Sequence, residues 1–148
     1  MRPIYLLDTN TVSYIINGRS RTARQKLEAN LSDSAISAVT EGELRFGLAK
    51  NPAAVKLRKA IEGFLSIITV LPWDSEAARS YGVMRAKMAA AGTPLGALDM
   101  MIASHAVSLD AVLVTTDKAF RHAQGLHALI NWASDLQRGS RAIAKTVA

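Results

Sequence analysis

Short apolar runs alternate with longer stretches of helical periodicity along most of the chain. Ile4-Tyr5-Leu6-Leu7 is brief, wholly apolar and ended by polar residues, the pattern of a buried strand. Ser34-Ala35-Ile36-Ser37, Ser66–Leu71 and Ala111–Val114 repeat it, and Leu129-Ile130-Asn131-Trp132 suits a last strand. Between these runs the spacing predicts helices. The first covers Thr11–Asn17 and is stopped by Gly18. A more polar one, lined by Arg19, Arg21, Arg24 and Lys26, runs to about Asn30. A third runs from Thr40 to about Lys50, and a fourth over Ala53–Phe64 beyond Asn51-Pro52, since the residue before a proline is pushed out of helical geometry. A long helix capped by Asp74 or Ser75 reaches Ala91, and Gly92–Gly96 is a loop. An Ala- and Met-rich helix over Ala97–Leu109 is apolar on most sides, and a short helix over Lys118–Gln124 ends at Gly125.

Strands alternating with helices predict an α/β fold: a single domain whose central parallel sheet of four to five strands is covered by helices on both faces. Residues 1–133 are expected to form it, and 134–148 to be a basic, weakly patterned tail that need not be ordered. Ligands in such folds bind beyond the carboxyl ends of the strands, near a switch in strand order. Asp8 and Asp117 lie just past the first and fourth apolar runs, which makes neighbours of two distant positions.

Composition narrows this further. A chain of 148 residues, 49% of them hydrophobic, can build one real core. It has no cysteine, so disulfides and thiolate metal sites are excluded. No apolar run approaches the roughly 20 residues of a membrane helix, and Asp8 interrupts the first run too early for a signal peptide. A cytoplasmic protein with no membrane partner is expected. The net charge of +6 comes from 18 basic and 12 acidic residues. If four acids are sequestered in a site, the remaining surface is more basic still, which suits a polyanionic substrate whose chemistry needs divalent cations.

Four acids invite that reading. Asp8 and Asp117 close apolar runs, and Glu43 and Asp99 fall on the apolar sides of two predicted helices. Carboxylates are rarely buried unless paired or bound to a cation. Asp99 shares its helical face with Ile102, Ala103 and Ala106, and Glu43 shares its own with Val39, Phe46 and Gly47. Glu43, three residues after Thr40, also fits a capping box. Oxygen-only ligands select Mg²⁺ or Mn²⁺ over zinc. Thr9, Asn10 and Thr115 sit beside the acids and could orient them or bind ordered water. Asn10 or Thr11 could equally cap the first helix.

Leu7-Asp8-Thr9-Asn10, Thr40–Gly47, Gly96–Ala103 and Leu113–Asp117 occur in that order. Together with Gly125-Leu126 and Asn131-Trp132, this set resembles a PIN-domain ribonuclease, in particular a VapC-type toxin of a bacterial toxin–antitoxin pair, over about residues 3 to 133. The resemblance implies an acidic pocket of Asp8, Glu43, Asp99 and Asp117 for Mg²⁺ or Mn²⁺, with Asp8 and Asp99 as direct ligands. Many members carry Asn-Asn where this chain has Thr116-Asp117, so Asp117 is the position most apt to reach a metal through water. It further implies cleavage of RNA, often a structured one such as tRNA, inhibition of translation and growth, neutralisation by a small antitoxin, and a homodimer.

Other features carry less. His105 lies on a different face from Asp99 and is expected to be packed or hydrogen-bonded, not catalytic. His122 and His127 have no partners for a zinc site. The methionines at 84, 88, 100 and 101 and the tryptophans at 73 and 132 are expected to pack. A catalytically inactive PIN-like module that binds RNA or protein is the alternative reading. A haloacid-dehalogenase-type phosphatase with Asp8 as nucleophile would want an Asp where Asn10 stands.

Overall fold

The computed structural model describes residues 2–92 and 95–137. Five strands form one parallel sheet: β1 (Tyr5–Leu7), β2 (Ser34–Ser37), β3 (Thr69–Leu71), β4 (Val112–Val114) and β5 (Ala128–Ile130), in the order β3-β2-β1-β4-β5. All four pairings are parallel, with Leu6 opposite Ala35 on one side and opposite Leu113 on the other. The helices are α1 (Thr9–Ile16), α2 (Arg21–Ala29), α3 (Ala38–Ala49), α4 (Val55–Ile67), α5 (Ser75–Ala91) and α6 (Ala97–Ser108).

Alternation along the strands divides the core in two. Leu7, Ile36 and Val114 face α1 to α4 in a cluster with Val12, Leu27, Leu44 and Phe64. Their neighbours Leu6, Ala35 and Leu113 face the other way, against Met84 and Met88 of α5 and Ile102, Ala103 and Ala106 of α6. Side chains of period two thus supply both layers from the same short strands. This is the α/β architecture with helices on both faces that the apolar runs predict.

Several boundaries differ, each for a local reason. β3 begins only at Thr69, because Ile61, Phe64 and Ile68 form one buried stripe at helical spacing that carries α4 through Ser66 and Ile67. The segment after Asp117 is a 3₁₀ helix, Lys118–His122. Ser134–Gln137, at the start of the expected tail, forms a 3₁₀ turn docked on α2. Asp135 there accepts hydrogen bonds from Ser20 Oγ (2.6 Å), Thr22 Oγ1 (2.8 Å) and the Arg21 amide (3.0 Å). The rest of that tail, and Thr93-Pro94 of the loop before α6, lie outside the described residues. Among the described residues no helix is long and apolar enough to cross a membrane.

Strand order reverses between β1 and β4. The chain steps outward from β1 to β2 and β3, then returns to β4 on the opposite side of β1. The carboxyl ends of β1 and β4 therefore open onto one crevice, the place where such sheets bind ligands.

Candidate active site

Asp8 follows β1 immediately and is buried, 2% exposed. Its amide continues the sheet by donating to Val114 O at 3.0 Å. Its side chain caps α1: Oδ1 accepts from the Thr11 amide at 2.9 Å. Asp8 is thus the N-cap residue, a role the sequence left to Asn10 or Thr11. Oδ2 accepts a 2.5 Å hydrogen bond from Thr115 Oγ1. Thr115 in turn accepts from the Asp117 amide at 3.0 Å, so one hydroxyl fixes both the Asp8 carboxylate and the turn that carries Asp117. Asp117 Oδ1 caps the following 3₁₀ helix through the Ala119 amide at 2.9 Å.

Glu43 reaches the same crevice from α3. That helix starts at Ala38 and is capped by Ser37, whose Oγ accepts from the Val39 amide at 3.1 Å. The start lies two residues earlier than the sequence suggests, so Thr40 is already inside the first turn and there is no Thr40–Glu43 capping box. Glu43 Oε1 instead accepts from Thr9 Oγ1 at 2.7 Å, and Thr9 Oγ1 also stands 3.2 Å from the buried Thr40 Oγ1. Asp99 comes from the first turn of α6 and stands close enough to Asp8, Asp117 and Glu43 to feel their charges. Asn10 is exposed, and among the described residues its side chain bonds none of the four acids.

The electrostatics bind the four into one group. Burial pushes the Asp99 carboxyl up to about 6, and the charges of Asp8, Asp117 and Glu43 push it the same way. Burial also raises Asp8, against the hydrogen bonds from Thr115 and Thr11 that favour its charged form, with Asp117 adding to the rise. Burial is the largest influence on each, so the hydrogen bonds orient Asp8 without fully compensating its charge. Among the described residues, the ion pairs join Arg2 to Asp33, Arg45 to Glu41, Arg79 to Glu76 and His127 to Asp110, and none includes the four acids.

Such a cluster answers to a bound cation. The donors are all oxygen, as Mg²⁺ and Mn²⁺ prefer. Among the described residues no three acidic or histidine side chains form a ready-made cage. Mg²⁺ keeps several waters and takes only one or two carboxylates directly. The all-oxygen donor set fits the ion that the resemblance implies, and burial disfavours the charged forms of Asp8 and Asp99, which a cation would favour.

Signals missed in the sequence lie beside this cluster. Thr40, a helix cap by its sequence pattern, stands buried against Thr9. Thr11 Oγ1 donates to Val114 O at 3.2 Å and ties the first turn of α1 to β4. Both are small polar residues in apolar surroundings, which is the pattern that could have marked them. His105 is buried with Nδ1 2.8 Å from Ser37 Oγ, and burial lowers its pKa against an opposing influence from Asp74. It is a packed, hydrogen-bonded histidine, as its position predicts.

The chain matches the PIN domain family over residues 5–126. It is 39% identical over 113 residues to the tRNA(fMet)-specific endonuclease VapC of Salmonella typhimurium, covering 76% of this chain and 86% of that protein. To the tRNA(fMet)-specific endonuclease VapC of Shigella flexneri it is 37% identical over 82% of this chain and 93% of that one. Among solved structures, DNA-bound VapBC from Salmonella typhimurium superposes with a TM-score of 0.83 at 36% identity, covering 88% of this chain and 99% of the matched one. VapBC2 from Rickettsia felis, bound to a DNA fragment from their promoter, gives 0.80 at 30% identity, over 87% and 98%. With its fold, its acidic crevice and these likenesses in agreement, the chain belongs to the PIN-domain family and, within it, to the VapC ribonucleases of VapBC toxin–antitoxin systems.

Proposed function

We propose that this protein is a divalent-metal-dependent endoribonuclease toxin that cuts RNA, with tRNA as the substrate class, and that a cognate antitoxin restrains it. One observation carries the reading. Carboxylates that follow β1 and β4 or project from α3 and α6 share one crevice, burial and the neighbouring acids raise the proton affinity of Asp99 and Asp8, and none of the ion pairs named above includes the four. Two relatives named as tRNA(fMet)-specific endonucleases support the choice of tRNA.

Asp8 and Asp99 would hold the ion directly, Glu43 and Asp117 would hold its waters, and Thr9 and Thr115 would keep Glu43 and Asp8 in place. When bound, the ion supplies a water of lowered pKa and offsets charge on the phosphodiester. Asp99, with its carboxyl near 6, is mostly ionised above neutrality and so ready to bind.

The antitoxin reading has its own support. An open groove of about 880 Å³ runs from Thr9 and Glu43 past Phe46, Leu57, Ile61 and Leu98. Phe46 is 65% and Leu98 48% exposed. A partner segment laid there would cover apolar surface and block the acids together. A homodimer belongs to the same proposal and is checked by light scattering of the purified chain.

The test is cleavage of bulk tRNA in Mg²⁺ and in chelator, with the new RNA ends sequenced. The reading expects discrete cuts that need the metal and cease when the antitoxin is added. It fails if tRNA survives intact in Mg²⁺, or if cutting persists unchanged in chelator.

A further inference from the structure

A smaller concavity shares a wall with the acidic crevice. It holds about 270 Å³ at the carboxyl ends of β4 and β5, where Thr115 and Asp117 border Lys118, Arg121, Ile130 and Asn131. Lys118 and Arg121 are exposed, and among the described residues neither forms an ion pair. Arg121 Nε instead meets the exposed His122 Nε2 at 3.4 Å, which leaves the cation uncompensated. Asn131, which lines the concavity, accepts from the Ala133 amide through Oδ1 at 2.8 Å, and its side-chain NH₂ remains as a donor. Asp117 is held toward the Ala119 amide. Two cations and an amide donor thus share this concavity with Asp117, one of the four carboxylates.

Charge decides what fits. A polyanion entering the acidic crevice is repelled by Asp8, Glu43, Asp99 and Asp117 until a cation intervenes. Anchoring cations must therefore lie outside that cluster yet within one nucleotide's reach, and Lys118 follows Asp117 directly in sequence. We propose that this concavity is a phosphate subsite for the RNA strand, in which Lys118, Arg121 and the Asn131 amide grip a phosphate neighbouring the one to be cut. This rests on the ribonuclease reading above. Such contacts set the register of the strand on the acids and read no base. They also make association salt-dependent, because each gripped phosphate releases counterions.

Binding, measured apart from cleavage, tests it. A fluorescein-labelled single-stranded RNA oligonucleotide is titrated with the full chain carrying Asp99→Ala, in Mg²⁺, across a range of salt concentrations. Adding Lys118→Ala and Arg121→Ala together is expected to weaken binding at least about fivefold, uniformly across RNA sequences. It should also lower the slope of log Kd against log salt by about 1.4, roughly 0.7 for each lost contact on a single strand. Arg121→Lys, which keeps the charge, should retain most of the slope. An unchanged Kd and slope in the double variant, or an effect confined to one RNA sequence, overturns the subsite. So does an absence of RNA binding by the parent chain. Cleavage by the chain with Asp99 intact is scored separately, so a failure of the ribonuclease reading is told apart from a failure of the subsite.

Discussion

Thr115 ties two of the four acids together. Its hydroxyl donates to buried Asp8 and accepts from the Asp117 amide, so it sets the spacing of two acids at once. Thr115→Val keeps the shape and removes both bonds. Loss of a hydrogen bond to a buried charged group costs about 1.5–3 kcal/mol. Thermal denaturation should show that loss and RNA cleavage should fall, while Thr115→Ser should restore both. Asp99 offers a second prediction, about pH. Its carboxyl sits near 6 in the folded chain against 3.8 as a free side chain, because burial and then Asp8, Asp117 and Glu43 disfavour its charge. A folded pKa above the unfolded one means a contribution to stability that is full below about 3.8 and lost as pH rises through about 6. In chelator, Asp99→Asn should therefore be more stable than the parent chain at pH 7.5, and the difference in Tm should shrink toward pH 4. Mg²⁺ or Mn²⁺ should raise the Tm of the parent chain at pH 7.5 and do so far less for the variant. His105 works in the opposite direction, since burial lowers its pKa and its stabilising share is lost as the solution is acidified. The difference between variant and parent cancels it.

The elements owe their positions to caps and buried stripes, and this decides what could be read from the chain. Short apolar runs were legible as strands because both faces of a parallel sheet are buried, so Ser34–Ser37 appears with the bounds its sequence suggests. Ser66-Ile67 belong to α4 and not to β3, because the β-branched run Ile67-Ile68-Thr69-Val70 suits a strand and a helix end alike, and only the packing of Ile61, Phe64 and Ile68 decides. Asp8, Glu43, Asp99 and Asp117 were visible as acids in apolar settings. Which hydroxyl holds which acid was not, because Thr9–Glu43 and Thr115–Asp8 join residues 34 and 107 positions apart. The turn at Ser134–Gln137 was hidden for the same reason: Asp135 reaches back across the chain to the first turn of α2. Removing it leaves that helix start without an outside acceptor. Asp135→Ala should lower stability by about 1 kcal/mol, the usual worth of a cap, as measured by urea unfolding. An unchanged midpoint would mean that Ser20 alone, which already accepts from the Ala23 amide at 3.1 Å, caps α2 sufficiently.

At the scale of the molecule, the reversal of strand order at β1 and β4 gathers acids from four separate segments into one crevice. The basic residues are left outside it, which gives a chain of net charge +6 an acidic mouth. The proposed antitoxin groove leads from that mouth, and partner binding along it can be tested apart from catalysis. Phe46→Ser, one helical turn beyond Glu43 on the groove and 65% exposed, should weaken antitoxin binding by about 1–3 kcal/mol in calorimetry. It should leave tRNA cleavage by the free toxin nearly intact. The central claim, that the gathered carboxylates hold the metal that cuts RNA, is met most directly by single-turnover cleavage of tRNA in Mg²⁺ by the parent chain, Asp8→Ala and Asp99→Ala. All three should first give the same far-ultraviolet circular dichroism. The account predicts a fall of about a hundred- to a thousandfold for each variant, the scale expected when electrostatic stabilisation of the transition state is removed. Cleavage by either variant at the parent rate would contradict it.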